Sequence, residues 1–209
     1  MSVSTFDITK IRNDFPILNQ TINSQTLTYL DSGATTQKPQ CVIDTTAQFY
    51  AAQNANVHRG RHTLSEQATY RYEQVRDKAA EFFGVNSNEI VWTKGATEAI
   101  NLVANGLKNQ IKASDTIIIT PIEHHANIVP WQVLSQQTGA KLAILPLNDD
   151  ATFDIPACCE FIKQHKPKLL AISQASNALG NITNLAPLIA SAKAVGALVL
   201  VDGAQGARH

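Results

Sequence analysis

From Ile90 onward, short apolar runs alternate with amphipathic, helix-patterned segments, and this alternation limits the fold more than any other feature of the chain. The runs Ile90-Val91-Trp92, Thr116-Ile117-Ile118-Ile119, Leu169-Leu170-Ala171-Ile172 and Ala197-Leu198-Val199-Leu200-Val201 consist mainly of residues that pack well on a pleated surface. The later runs show little polar alternation, as strands buried on both faces should. The pattern predicts strand 90–93 then helix 96–108, strand 115–120 then helix 126–138, and strand 141–145 then helix 154–165. Strand 168–173, helix 185–195 and strand 197–201 complete the series. Successive βαβ crossovers of this kind imply an α/β fold, with a mostly parallel sheet and helices on both faces.

The segment upstream is mixed. Ile8 to Phe15 reads as a short helix, and Thr28-Tyr29-Leu30 as a short strand entering an Asp31-Ser32-Gly33-Ala34 turn. Pro39 opens a helix through about Ala52, since proline is tolerated at the first helical position. Asn54 to Thr63 is a polar loop rich in Arg and His. Ser65 to Phe83 is a long amphipathic helix, with Ser65 placed to cap it and Gly84 to close it. No repeat, low-complexity tract or linker interrupts the chain.

At 209 residues, 44% hydrophobic and 16% charged, the sequence suits a globular protein with a substantial core. Its 17 basic and 17 acidic residues balance. The clearest basic cluster is Arg59 and Arg61 beside His58 and His62, which argues against nucleic-acid binding. No apolar stretch is long enough to span a bilayer, and Met1-Ser2-Val3-Ser4 lacks the basic-then-apolar order of a secretory signal. Cys41, Cys158 and Cys159 are odd in number, which favours reduced thiols and a cytoplasmic setting. All three lie on helical patterns without a nearby base and read as packing residues.

Each apolar run leads into a polar cluster, and ligands of open α/β sheets bind at the carboxyl ends of the strands. Gly95-Ala96-Thr97-Glu98 stands at a predicted helix start, where free N–H groups and the helix dipole attract phosphate. An ordinary N-cap fits the same residues. A nucleotide-binding α/β module without catalysis is the alternative such a site allows, and the missing Gly-Lys-Ser/Thr and GxGxxG patterns count against it. His124, in Glu123-His124-His125, could stack on a planar ligand or move protons, or simply cap the next helix. Asp202 ends an apolar strand, where a carboxylate needs a partner such as a protonated ring nitrogen. A metal-binding aspartate or a structural cap is the alternative. Asn177 and Gln205 could donate to a ring hydroxyl or serve as turn residues. His58 and His62 have the spacing of a metal pair on a helix, but Gly60 and the loop context favour a substrate-facing loop, and no metal is expected.

Taken in order, these clusters resemble the cysteine desulfurases of the class V aminotransferase family, in particular the SufS/CsdA-like group. The matching stretches are Tyr29-Leu30-Asp31-Ser32-Gly33-Ala34-Thr35, Asn56-Val57-His58-Arg59-Gly60 and Trp92-Thr93-Lys94-Gly95-Ala96-Thr97-Glu98-Ala99-Ile100-Asn101. They continue with Glu123-His124-His125-Ala126-Asn127-Ile128-Val129-Pro130-Trp131, Ser176-Asn177-Ala178-Leu179-Gly180 and Val201-Asp202-Gly203-Ala204-Gln205-Gly206. The resemblance runs from the first helix to the last residue. It implies the fold type I of transferases that use pyridoxal 5′-phosphate (PLP). Residues 1–64 would form an N-terminal segment serving a small domain and the active-site entrance, and residues 65–209 the first part of an incomplete, PLP-binding large domain.

The resemblance also implies roles. Ala96 and Thr97 would hold the phosphate, and His124 would stack on the ring and act in catalysis. Asp202 would pair with the ring nitrogen, Asn177 and Gln205 would lie near the ring oxygen, and Gly33, Ala34 and His58 would line the substrate pocket. Ala96 stands where the family often has a threonine, one hydroxyl fewer. The implied reaction converts L-cysteine, or its seleno-analogue, to L-alanine and passes sulfur to an enzyme persulfide for iron-sulfur cluster assembly or other sulfur transfer. The implied partners are a second copy of the chain and a sulfur-acceptor protein. The family's Ser-Gly-His-Lys motif and its nucleophilic cysteine match no residue here. Strand 197–201 is followed only by Asp202 to His209, so the chain is expected to belong to a longer protein and to have no turnover by itself.

Overall fold

The computed structural model describes residues 6–207; residues 1–5 and 208–209, on which the readings of both chain ends fall, lie outside them. Contacts group the chain into two units, Met1–Val91 and Trp92–His209.

In the first unit, helix α1 (Ile8–Asn13) is capped by Asp7, whose carboxylate accepts from the Lys10 N–H at 3.0 Å. A short antiparallel hairpin follows, β1 (Thr21–Ile22) and β2 (Gln25–Thr26). Asn23 and Ser24 between them have φ of 50° and 62°, the left-handed pair that matches hairpin twist. The strand expected at 28–30 does not form. A strand needs a neighbour, and the Asn23-Ser24 turn supplies one only to residues 21–26. Helix α2 (Gln40–Ala52) begins one residue after Pro39. Helix α3 (Thr63–Phe83) is closed by left-handed Gly84, as expected. Its cap is His62, not Ser65: His62 Nδ1 accepts from the Ser65 N–H at 3.4 Å. Ser65 is buried in the first turn, where its hydroxyl donates to Asn56 O and accepts from the Gly60 N–H at 3.0 Å. A Cβ on Gly60 would lie 2.2 Å from that hydroxyl, which explains the glycine.

The second unit holds a four-stranded sheet built from β3 (Thr116–Ile119), β4 (Lys141–Ile144), β5 (Leu169–Ser173) and β6 (Leu198–Asp202). The order is β4-β3-β5-β6 and every pairing is parallel. Helices α4 (Ala96–Leu107), α5 (Val129–Thr138), α6 (Ile155–His165) and α7 (Leu185–Ala194) flank it. Side chains alternate across the strands and divide the core. Ile117, Ile119, Leu169 and Ala171 pack with Ile100 and Ala104 of α4 and with Trp131 and Leu134 of α5. Ile118, Leu170 and Ile172 pack on the other face with Cys158 and Ile162 of α6 and with Leu188 and Ala192 of α7. The result is a sheet with helices on both faces, as the sequence predicts.

One predicted strand is missing: residues 90–93 join no sheet among the described residues. Ile90 is extended, with φ −90° and ψ 121°, but its carbonyl accepts from the Arg76 guanidinium instead of a ladder neighbour. Extended backbone becomes a strand only when another strand lies beside it.

Candidate functional site

The connectivity fixes where a ligand can bind. The chain passes from β3 to its outer neighbour β4 through α5 on one face, then returns past β3 to β5 through α6 on the other. Strand order therefore reverses between β3 and β5, and the crevice beyond their carboxyl ends is the switch-point site of an open α/β sheet. A cavity of about 360 Å3 lies there, lined by His124 and His125 after β3 and by Ser176, Asn177 and Leu179 after β5. His124 and Asn177, distant in sequence, are thus brought together.

His124 is exposed and opens the turn His125–Asn127. Its Nδ1 accepts from the Ala126 N–H at 3.1 Å. A ring nitrogen that accepts carries no proton, so the neutral imidazole holds its proton on Nε2. Asn177 sits at an exposed turn built on buried Ser176, whose Oγ accepts from the Ala178 and Leu179 N–H groups at 3.3 and 3.2 Å. The Gly180 N–H closes the same turn onto Ser176 O at 3.0 Å.

Asp202 ends β6 directly opposite Ser173 of β5. It is 8% exposed. Its Oδ1 accepts from the Ala204 N–H at 3.0 Å, while Oδ2 takes no hydrogen bond from the described residues. No buried side-chain oxygen among the described residues lacks a partner, so Oδ2 is open to solvent, where it can meet a ligand N–H. Half-buried Gln205 follows in the next turn, where the Gln174 side chain packs so closely on Gly206 that a Cβ there would lie 2.6 Å from it.

Ala96 and Thr97 form the exposed first turn of α4. The first N–H groups of a helix have no intrahelical acceptor, and the Glu98 carboxylate bonds instead to the N–H of Lys94, just before the helix, at 2.6 Å. This leaves an anion-binding end of the kind that holds phosphate. Helix α4 packs on the His125–Asn127 turn.

Gly33, Ala34 and His58 belong to the first unit. Gly33 and Ala34 lie in a turn closed by Ala34 N–H to Asp31 O at 3.1 Å. His58 has φ of 71°, and its Nε2 meets Glu73 Oε1 at 3.1 Å, with Glu73 also bound to Arg76. His58 and His62 are therefore engaged separately, one with a carboxylate and one as a helix cap.

Sequence reasoning overlooked the buried polar residues beneath the site. Glu123, Asn127, Thr120 and Ser173 are all at most 8% exposed. The available signal was the four-residue recurrence of Glu123, Asn127 and Trp131, which a helical path places on one side. Of the three cysteines expected to be packing residues, Cys158 is one, Cys159 is only partly covered, and Cys41 is not, because it lies on the exposed side of α2. Cys158 is buried and its thiol pKa is raised, first by burial and then by Asp154 and Cys159. Cys41 is exposed and Cys159 intermediate. We expect a thiol reagent to modify Cys41 first and Cys158 only on unfolding. Mass spectrometry of partly labelled protein checks the order, and early labelling of Cys158 would contradict it.

Fold and site together define an open α/β protein with a cavity at its switch point. The chain belongs to the aminotransferase class-V family, which it matches over residues 28–209. It is 48% identical to a cysteine desulfurase of Pectobacterium atrosepticum and 50% identical to one of Klebsiella pneumoniae, in each case over 98% of this chain and 51% of the relative. Among solved structures, the apo cysteine desulfurase of Thermococcus onnurineus NA1 superposes with a TM-score of 0.90 at 38% identity, covering 100% of this chain and 50% of that one. The cysteine desulfurase CsdA of Escherichia coli gives 0.83 at 40% identity, covering 98% and 50%. The chain spans about half the length of the curated relatives it matches. No helix among the described residues is long and apolar enough to cross a membrane.

Proposed function

We propose that this chain supplies the PLP-binding first part of a cysteine desulfurase that converts L-cysteine to L-alanine and delivers sulfur as an enzyme persulfide. The supporting observation is the nearly buried Asp202, which ends β6 in register with Ser173 of β5, the strand that leads on to Asn177 and the cavity it shares with His124. These residues fit PLP. The first turn of α4 at Ala96 and Thr97 would hold the phosphate, and Asp202 Oδ2 would accept the proton of the ring nitrogen. The His124 imidazole would cover one ring face, and Asn177 and Gln205 would stand near the ring oxygen. When bound, PLP supplies an electron sink. The chain's own contribution is to keep the ring nitrogen protonated through Asp202 and to present a movable proton at His124 Nε2.

Gly33, Ala34 and His58 are assigned to the substrate side, with residues 1–64 serving the entrance and small domain and residues 65–209 the cofactor domain. The working assembly is a homodimer in the cytoplasm that hands sulfur to an acceptor protein. An absorbance titration with PLP tests the cofactor assignment. Saturable binding that inorganic phosphate weakens and ATP does not displace is the expected result. Absence of saturable binding, or displacement by ATP at comparable concentration, would refute it and favour a nucleotide module.

A further inference from the structure

We infer that Glu123 is the positioning residue of this site: one buried carboxylate fixes the places of His124, Asn177 and Asp202 together. The inference rests on the PLP reading given above. Glu123 Oε1 accepts from Thr120 Oγ1 at 2.5 Å and from the Ser173 N–H at 2.9 Å. Its Oε2 accepts from Asn127 Nδ2 at 2.7 Å and from the Ser173 hydroxyl. Trp131 Nε1–H donates to Asn127 Oδ1 at 2.9 Å. Because the indole can only donate, it forces the Asn127 amide to turn its NH2 toward Glu123. The carboxylate thus ties the segment after β3 to Ser173 at the end of β5 through two hydrogen bonds, and braces its own segment through two more.

Each ligand-facing residue hangs from that knot. His124 is the next residue in the chain, and its Nδ1 bond to the Ala126 N–H lies inside the loop between Glu123 and Asn127. Asn177 follows Ser173 on the same strand end. Asp202 is the register partner of Ser173, and its carbonyl accepts from the Gln174 N–H at 3.0 Å. Neither Glu123 nor Asp202 forms an ion pair with the described residues.

Glu123→Gln is the sharpest probe. Ser173 N–H and Asn127 NH2 are donors only and approach opposite oxygens, so either orientation of the new amide sets donor against donor. Two readouts are taken: the 15N imidazole signals of His124 without PLP, which report the tautomer, and PLP affinity by absorbance. Ile162→Val, in the core on the other side of the sheet, serves as the packing control. We expect Glu123→Gln to lose the single-tautomer signature and to bind PLP about tenfold or more weakly, with Ile162→Val unchanged in both. Retention of the tautomer and of affinity within about twofold overturns the inference. Should Glu123→Gln fail to fold, Thr120→Val and Ser173→Ala each remove a single hydroxyl. Both are expected to disturb the His124 signals, and behaviour identical to Ile162→Val overturns the inference. Failure of the unaltered protein to bind PLP would sink the cofactor reading, while the imidazole signals still decide the role of Glu123.

Discussion

An Asp202→Ala variant is expected to bind PLP on the order of 10- to 100-fold more weakly than the unaltered protein. A hydrogen bond to a charged group contributes about 1.5–3 kcal/mol, and each 1.4 kcal/mol is about tenfold in affinity. The residue has the geometry for such a bond, with one oxygen engaged by the Ala204 N–H and the other bonded to none of the described residues. Asp202→Asn separates the two jobs. Its amide oxygen can keep the Ala204 bond, but the charge is gone. It should melt close to the unaltered protein and still bind PLP weakly. Titration and thermal melts on both variants check this. Asn binding PLP as tightly as Asp would mean that Asp202 does not face the ring nitrogen.

The largest stability effect is expected at Trp131. This side chain is fully buried between α5 and the sheet, and its indole N–H secures Asn127. Trp131→Ala should cost about 3–5 kcal/mol through lost transfer energy and the cavity left behind. Net stability of a domain is only about 5–15 kcal/mol, so the variant would sit near the folding limit. Trp131→Phe keeps most of the volume but orphans Asn127 Oδ1, a loss of about 1–3 kcal/mol. Urea melts of the pair give the comparison. A drop for alanine no larger than that for phenylalanine would show that the bulk of the indole matters less than its hydrogen bond.

Periodicity in the sequence carried most of the second unit, because buried parallel strands and their covering helices leave distinct local patterns. The runs at 116–119, 141–144, 169–173 and 198–202 became strands within a residue or two of their expected limits. Local pattern failed where a partner decides the outcome. Ile90-Val91-Trp92 has strand composition and extended backbone at Ile90 but joins no sheet among the described residues, and Thr28-Tyr29-Leu30 yielded to a hairpin created by the Asn23-Ser24 turn. Ser65 shows the same limit on a smaller scale. Its composition suits a cap, yet its hydroxyl is drawn to Gly60 and Asn56, and His62 takes the cap.

The sequence by itself determined the alternation of strands and helices, and it picked out His124, Asn177 and Asp202, because each follows an apolar run whose end must face a ligand crevice. It could not tell that β5 lies between β3 and β6, nor that this order sets Ser173 against Asp202 and under Glu123. Those facts depend on pairing across long stretches of chain, and hydrogen bonds between strands leave no trace in the spacing of residues along one of them. Tertiary structure alone decided that a single buried carboxylate joins the strand ends, since only there does its cost of burial find four donors.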